Sequence, residues 1–216
     1  MADTAPQRRS QTERRAESDK RMIFAAFRLV AKHGAAGCSM AQIGIEAGYS
    51  RGLPQARFGS KKALLEAVID ASEEWFERAV KRRLGSATGL EAAFLRAETH
   101  MRGAMTDAPG TAAIYQLYVE SIGAAEDLNP RMRALGENYR LGFRRHLQEA
   151  LDSGEIAPDT DIDRTATVIL GAVRGMIIQS LVDRGQTDLV DAMDHLKTLI
   201  RIAIGNGAAS DRPAPG

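Results

Sequence analysis

The sequence predicts an all-α protein of about nine helices, with an N-terminal three-helix domain and a larger C-terminal helical domain. Three observations lead to this fold class. Apolar residues recur at i, i+3, i+4 and i+7 through most of the chain, which is the period of an amphipathic helix. Residues that favour helices, such as alanine, leucine and glutamate, are plentiful, whereas aromatic residues make up only 5%. No segment has the alternation of a strand or the turn of a hairpin.

The first helix is predicted from Ile23, Ala26, Phe27 and Val30, which share one face, and Gly34 is expected to end it. The residues before it are polar and include a proline, so we expect them to form a disordered arm.

Residues 39–62 predict two short helices joined by a glycine-containing turn. Ser39 is placed to cap the first of them, which ends at Gly48, and Ser50 is placed to cap the second. Pro54 follows four residues after Ser50 and removes an intrahelical hydrogen bond, so this second helix is expected to be distorted or to start late. The arrangement is typical of a helix-turn-helix, whose second helix enters the major groove of DNA. An ordinary helical hairpin has the same spacing.

Ser60 is expected to cap a fourth helix that runs towards Leu84. Turn-forming segments then separate five more predicted helices, at about residues 88–106, 111–125, 129–152, 161–183 and 187–204. The domains are therefore expected to be a disordered arm at 1–12, a helix-turn-helix domain at 13–62, a helical dimerisation and effector-binding domain at 63–204, and a disordered tail at 205–216.

Charge is distributed unevenly along the chain. The whole sequence carries 29 basic and 28 acidic residues, a net charge of +1. Residues 1–62 hold 12 basic and 5 acidic residues, a net of +7, so the remainder holds 17 and 23, a net of −6. A basic N-terminal module on an acidic body is typical of nucleic-acid binding, although an uneven surface alone would give the same split.

The composition limits the other classes of protein. Cys38 is the only cysteine, which excludes an internal disulfide and a cysteine-based metal site and fits a reducing compartment. No apolar run approaches the ~20 residues that span a bilayer, and the N-terminus lacks the apolar core of a secretion signal. We expect a cytoplasmic protein with no membrane partner, no metal and no cofactor.

One motif suggests an enzyme. Residues 48–52, GYSRG, match G-x-S-x-G, the nucleophile elbow of serine hydrolases, which needs a strand before the serine and a sheet beneath it. A helical pattern precedes Ser50, so a helix cap explains this serine better. The sequence also lacks the Glu-x-x-His and H-E-x-x-H patterns of metal sites on helices. We expect the protein not to be an enzyme.

Several spaced elements occur in a recognisable order over residues 20–70. They are the alanine-rich helix ending at Gly34, then Ser39, Ile43, Ala47-Gly48, Ser50-Arg51-Gly52 and Phe58-Gly59-Ser60-Lys61 before an apolar helix. This run resembles the N-terminal domain of TetR-type (TetR/AcrR) transcriptional regulators. The resemblance implies a helical C-terminal domain that dimerises and holds a ligand pocket. Where the family usually has a Thr-Leu-Tyr-like run, this chain has Leu53-Pro54-Gln55, so a tyrosine that commonly meets a DNA phosphate is absent.

The predicted DNA-binding residues are Ser39, Gln42, Arg51, Gly52, Leu53, Gln55, Ala56, Arg57 and Lys61. Arg51 is suited to a bidentate contact with guanine and Gln55 to one with adenine, while Leu53 and Ala56 could meet thymine methyl groups. Ser39, Arg57 and Lys61 are the candidates for phosphate contacts, with Gln42 in support of either set. A solvated surface pair is the alternative for Arg57 and Lys61.

A two-fold dimer on a palindromic double-stranded operator is expected, because one short helix reads too few bases. The last two helices are the expected interface, since Gly171 and Gly175 permit close approach and the apolar stripe Leu189, Met193, Leu196 and Ile200 can complete a four-helix bundle. That stripe could equally belong to the core of one chain.

The resemblance implies a pocket for a mostly hydrophobic small molecule. Candidate lining residues are Phe94, Met101, Met105, Tyr115, Tyr118, Tyr139, Phe143 and Met176, with His100 and His146 as possible polar contacts. The expected function is therefore a homodimeric transcriptional regulator, a repressor relieved by its ligand. The alternative is a helical ligand- or protein-binding dimer whose helix-turn-helix has lost DNA recognition.

Overall fold

The structure, a computed structural model, describes residues 10–205 and contains nine α-helices in that part of the chain. They are α1 (Gln11–Gly37), α2 (Met40–Glu46), α3 (Leu53–Phe58), α4 (Lys61–Leu84), α5 (Gly89–Thr106), α6 (Ala108–Glu120), α7 (Asn129–Asp152), α8 (Ile162–Val182) and α9 (Leu189–Ile204). A short 3-10 helix, Glu126–Leu128, precedes α7. The β contacts between residues 10 and 205 are limited to one isolated bridge. The predicted all-α class is confirmed.

The first helix begins earlier than the sequence predicted. Ser10 caps α1: its Oγ accepts a hydrogen bond from the Glu13 N–H at 3.1 Å, and the Glu13 carboxylate accepts one from the Ser10 N–H at 2.7 Å. This capping box places residues 11 and 12 in the helix rather than in the arm. The rest of the expected arm, residues 1–9, lies outside the described residues, as does the tail from residue 206.

Gly34 interrupts α1 as predicted. Its backbone has φ +70° and ψ 176°, so the helical conformation breaks there before a last turn that ends at Gly37. The N–H of Ala35, just after the break, donates to Glu120 Oε2 at the end of α6, at 2.8 Å. Since α1 also packs along the length of α6, this hydrogen bond joins the N-terminal domain to the C-terminal one.

The later helices lie close to their predicted positions, with α6 as the exception. It was expected after a break at 107–110 but begins at Ala108, because the Asp107 carboxylate caps it by accepting from the Gly110 N–H at 3.1 Å. Pro109 then occupies the first turn, where its missing N–H has no intrahelical partner to lose. At its other end α6 stops at Glu120 rather than at residue 125.

One continuous core runs through both domains. In the N-terminal domain its fully buried members come from α1, α2 and α4: Met22, Ala26, Val30, Ile43, Leu64 and Val68. In the C-terminal domain they come mainly from α6, α7 and α8: Leu117, Met132, Leu135, Phe143, Leu147 and Val173. Helix α4 also contributes Phe76, whose ring centre lies 4.8 Å from that of Tyr139, so this helix packs in both parts of the core.

Candidate functional site

Helices α2 and α3 form a helix-turn-helix. Ser39 caps α2 as predicted: its Oγ accepts from the Gln42 N–H at 3.2 Å, while Gln42 Oε1 accepts from the Ser39 N–H at 3.0 Å. Gly48 has φ +80°, and the next N–H, of Tyr49, returns to the Gly44 carbonyl at 2.8 Å. These bonds end α2 and reverse the chain towards α3.

The start of α3 corrects one prediction and confirms another. The N-cap is Gly52, without a side-chain hydrogen bond, so Ser50 is not the cap that the sequence predicted. Instead, the Ser50 carbonyl accepts from the Leu53 N–H at 3.2 Å. The expected late start is found, because Pro54 occupies the first turn and is buried against α2. Pro54 fits there because Gly44 has no side chain: a Cβ on Gly44 would lie 3.1 Å from Pro54 Cδ.

The turn also bears on the hydrolase interpretation. Ser50 follows a helix, α2, and not the strand that a nucleophile elbow requires. Within residues 10–205 there is also no group of three His, Cys, Asp or Glu side chains placed to hold a metal ion.

The predicted DNA-binding residues fall into an exposed set and an engaged set. Arg51, Gly52 and Ala56 are exposed at the start of α3, whereas Leu53 is half-buried against the core. Ser39 and Gln42 are exposed, with their side chains engaged in capping α2. Arg51 and Gly52 therefore lie at the beginning of α3, the helix that a helix-turn-helix places in the major groove.

Three further predicted contact residues already have partners within the chain. Arg57 forms a bidentate ion pair with Asp19 of α1, at 2.8 Å from Nε to Oδ1 and 2.5 Å from Nη2 to Oδ2, and this hydrogen bonding raises its pKa. Gln55 Nε2 donates to the Gly59 carbonyl. Lys61 Nζ makes a long contact, 3.4 Å, with the Ala36 carbonyl. Arg57 therefore ties α3 to α1, a role that the sequence did not predict.

A cavity of about 790 Å³ lies between α1 and the helices of the C-terminal domain. Its apolar lining residues include Ile23, Phe24, Phe27, Trp75, Phe76, Ile114, Leu135 and Ile177. Of the predicted lining residues, Tyr115, Tyr118 and Tyr139 face it, together with His100. Because α1 also packs against α2, the wall that it contributes connects the cavity to the helix-turn-helix.

The other predicted lining residues lie elsewhere, which corrects the sequence prediction. Phe94, Met101 and Phe143 are buried in the core, Met176 packs partly buried against it, and Met105 is 58% exposed. Apolar periodicity marks the buried face of a helix but does not separate core from cavity wall. His146 also lies away from the cavity, where its Nδ1 contacts Glu149 Oε2 at 3.1 Å and burial lowers its pKa.

The α1 wall is the part of the site that the sequence did not reveal. Ile23 and Phe27 were predicted only to share the apolar face of the first helix, and both line the cavity. Two charged α1 residues at the same cavity contact the helix-turn-helix: Asp19 pairs with Arg57, and Arg28 Nε pairs with Glu46 Oε1 at 3.0 Å. Phe24 lines the cavity as well and is itself 53% exposed.

Helices α8 and α9 have a second apolar face that no described residue covers. The predicted stripe does not form it, because Leu189, Met193 and Ile200 are buried within the chain. Exposed instead are Val168, Ile178 and Val182 on α8 and Leu199 and Ile202 on α9. By length and composition α8 could cross a membrane, contrary to the sequence expectation, although its other face lies in the core. Cβ atoms added at Gly171 and Gly175 would meet open space.

Comparison with known proteins places the chain among bacterial regulators. A family model described as bacterial regulatory proteins, tetR family, matches residues 23–68, and one described as tetracyclin repressor-like, C-terminal domain, matches residues 87–196. The HTH-type transcriptional regulator SrpR of Pseudomonas putida is 23% identical over 199 residues, which cover 92% of this chain and 87% of SrpR.

Two solved structures show the same fold. A TetR transcriptional regulator from Chloroflexus aurantiacus J-10-FL superposes with a TM-score of 0.79 at 24% identity, covering 89% of this chain and 98% of that one. SmeT, the repressor of the Stenotrophomonas maltophilia multidrug efflux pump SmeDEF, superposes with a TM-score of 0.69 at 18% identity, covering 92% and 100%. At these identities the likeness is one of fold.

Proposed function

Because the chain belongs to the TetR family of bacterial regulatory proteins, we propose that it is a sequence-specific DNA-binding repressor, released from its operator by a small molecule. The observation that carries this proposal is the exposed surface at the start of α3. Arg51 is exposed there and forms no ion pair with any residue that the structure describes. An unpaired guanidinium at the start of a reading helix is suited to guanine O6 and N7.

Phosphate contacts on either side of α3 would hold this helix in the groove. The first turn of α2 supplies backbone N–H groups and the exposed Ser39 and Gln42, and Lys61 stands at the first turn of α4. Lys61 forms no ion pair with a described residue and makes a long contact to a carbonyl oxygen, so its ammonium can turn towards a phosphate. The net charge of +7 over residues 1–62 favours the same surface.

The exposed face of α8 and α9 supports a homodimer. A two-fold pairing of these helices would bury Val168, Val182 and Ile202, and Gly171 and Gly175 would allow the helices to approach closely. The dimer accounts for the apolar character of α8 without a membrane, in keeping with a cytoplasmic protein. Two copies of α3 then read the two halves of a palindrome.

Release by a ligand follows from the position of α1. This helix walls the cavity and also holds α2 and α3 through the pairs Arg28–Glu46 and Asp19–Arg57. A ligand that moves α1 as it enters the cavity therefore moves the reading helices with it. The ligand favours the conformation that fits it, and the operator favours the other, so the two bind in competition.

Selection of bound DNA from a random pool tests the proposal and should enrich a palindrome. Arg51→Ala should relax specificity at one base pair by about 1–3 kcal/mol. Lys61→Ala should weaken binding to all DNA sequences. It should also reduce by about 1 the steepness with which the logarithm of the binding constant falls with the logarithm of the salt concentration. Arg133→Ala, which removes an exposed positive charge on α7, is the control. The assignment fails where no palindrome is enriched or Arg51→Ala changes neither affinity nor specificity.

A second function is favoured by the engaged side chains of α3. With Arg57 paired to Asp19 and Gln55 turned to the Gly59 carbonyl, α3 has fewer free polar groups than the sequence predicted. The chain would then be a helical ligand- or protein-binding dimer without DNA recognition. Salt-dependent binding to the selected palindrome discriminates the two functions, and a monomer in sedimentation at micromolar concentration would contradict both. Neither function involves catalysis or a cofactor.

A further inference from the structure

Two cations of the cavity lining have no acidic partner among the described residues: Arg174, and Lys20, which is exposed on α1 with its Nζ 5.9 Å from the centre of the Phe24 ring. Arg174, on α8, is half-buried; its Nη1 donates to the Tyr118 hydroxyl at 3.1 Å, and its Cζ lies 4.6 Å from the centre of the Tyr118 ring. Two other arginines that line the cavity, Arg28 and Arg78, are each paired with a glutamate, at 3.0 and 3.2 Å. Arg174 therefore retains N–H donors and an uncompensated positive charge.

Neutral polar groups surround this cation. Burial, followed by the charges of Arg96 and Arg174, lowers the pKa of His100 well below its usual value, so the imidazole is neutral at pH 7. Its Nε2 is buried and has no hydrogen-bond partner in the described part of the chain. Burial raises the pKa of Tyr115 and Tyr139, which keeps both hydroxyls protonated. These groups can donate to an acceptor bound at Arg174.

The acidic residues of the lining are all engaged. Asp19 and Glu74 are each paired with an arginine, at 2.5 and 3.2 Å. Asp107 caps α6 by accepting a backbone N–H at 3.1 Å. A cationic ligand would thus find no unpaired carboxylate, whereas an anionic ligand finds Arg174. The charge pattern of the wall selects an anion.

We propose that the cavity binds a monocarboxylate with an extended apolar body, whose carboxylate is held by Arg174 and whose body lies against the apolar wall. One planar, unpaired guanidinium suits one carboxylate. A volume of about 790 Å³ lies within the usual range of small-molecule sites, ~300–1,000 Å³. The inference rests on the proposed function in one respect, that this cavity is where the effector binds.

The only tryptophan in the sequence provides the assay. Trp75 lines the cavity, so its emission can transfer to a bound fluorescent polyene. The probes are parinaric acid, a conjugated fatty acid, and its methyl ester, which has the same body without the charge. The wild type should bind the acid about tenfold or more tightly than the ester, as expected for hydrogen bonds to a charged group.

Variants at Arg174 test where this preference arises. Arg174→Gln should weaken binding of the acid about tenfold or more, while the affinity for the ester should stay within about twofold of the wild-type value. Arg174→Lys keeps the positive charge but loses the planar set of N–H donors of the guanidinium, so it should retain a smaller preference for the acid. This variant also tests the proposal if Arg174→Gln does not fold. Arg78→Gln is the matched control, because Arg78 lines the cavity but is exposed and already paired. It should leave the preference unchanged.

The proposal is overturned where the wild type binds acid and ester equally, binds neither, or keeps its preference in a folded Arg174→Gln variant. Operator binding by the same proteins is measured in parallel without probe, since Arg174 is distant in sequence and element from the reading surface. A wild type that binds the operator but shows no preference for the acid rejects the ligand class alone. Absence of operator binding in the wild type rejects the proposed function, whatever the probes show.

Discussion

The contact between Gly34 and Glu120 permits a quantitative test of the joint between the two domains. Gly34 has φ +70° and ψ 176°, a region that residues with side chains rarely adopt. A Cβ there would lie 2.3 Å from Glu120 Oε1. The other oxygen of that carboxylate accepts from the N–H of Ala35, which is only 3% exposed. Gly34→Ala should therefore strain the backbone and also displace the acceptor of a buried N–H.

The two effects have separate magnitudes. Backbone strain of this kind costs about 1–3 kcal/mol, and a buried N–H that loses a charged acceptor costs about 1–3 kcal/mol. Gly34→Ala should lower the free energy of unfolding by the sum, about 2–6 kcal/mol. Glu120→Ala alone should lower it by about 1–3 kcal/mol. In that background Gly34→Ala adds only the strain, because no carboxylate is left to displace.

The double-mutant cycle should therefore be non-additive by about 1–3 kcal/mol, with the double variant more stable than the sum of the single changes predicts. Urea unfolding, followed by far-UV circular dichroism, gives the free energy of unfolding of the wild type, the two single variants and the double variant. All four are measured at one protein concentration, because dimerisation shifts apparent stability. Gln116→Ala is the control: it removes a 2.9 Å hydrogen bond to Glu120 but leaves the carboxylate. A cycle additive to within about 0.5 kcal/mol would refute the reasoning.

Two further predictions concern the turn and the cavity. Gly44→Ala places a Cβ 2.5 Å from the Ser50 carbonyl oxygen and should lower the free energy of unfolding, measured in urea, by about 1–3 kcal/mol. Gly52→Ala is the control, because a Cβ at Gly52 meets open space; it should change the free energy of unfolding by less than about 0.5 kcal/mol. Because the pKa of His100 is depressed in the folded state, the unfolded chain binds more protons below pH ~6.5, and stability should fall with pH there by up to ~1.4 kcal/mol per unit. His100→Phe should flatten this dependence in urea titrations from neutral pH downward, and an unchanged slope would reject His100 as its source.

Local patterns predicted the parts of the fold that depend on neighbouring residues. The caps at Ser39 and Ser60 and the break at Gly34 involve atoms within a few positions along the chain, and all three are found. Helices α5 and α7 to α9 were placed to within about two residues, because their apolar stripes bury one face against the same core. Ser50 was misassigned because Pro54 moves the start of α3 to Leu53.

The candidate site was harder to predict because its contacts are distant in sequence. Arg57 meets Asp19, 38 positions away, and no local pattern specifies that pair. Phe143 and Tyr139 lie one turn apart on α7, and both look apolar and inward in the sequence. Only the packing of neighbouring helices decides that Tyr139 reaches the cavity whereas Phe143 stays in the core.

In the proposed function, α1 is a direct physical connection between the cavity and the helix-turn-helix. Asp19 stands at the cavity and also holds Arg57 on the reading helix, so one side chain spans the distance between the two sites. Coupling through such a shared element is reciprocal, because it is a difference in binding free energy between two conformations. A ligand that weakens operator binding tenfold must itself bind tenfold more weakly to the operator-bound protein. Under the proposed function, the ion pair that reduces the free polar surface of α3 is then the same contact that would make DNA binding sensitive to the cavity.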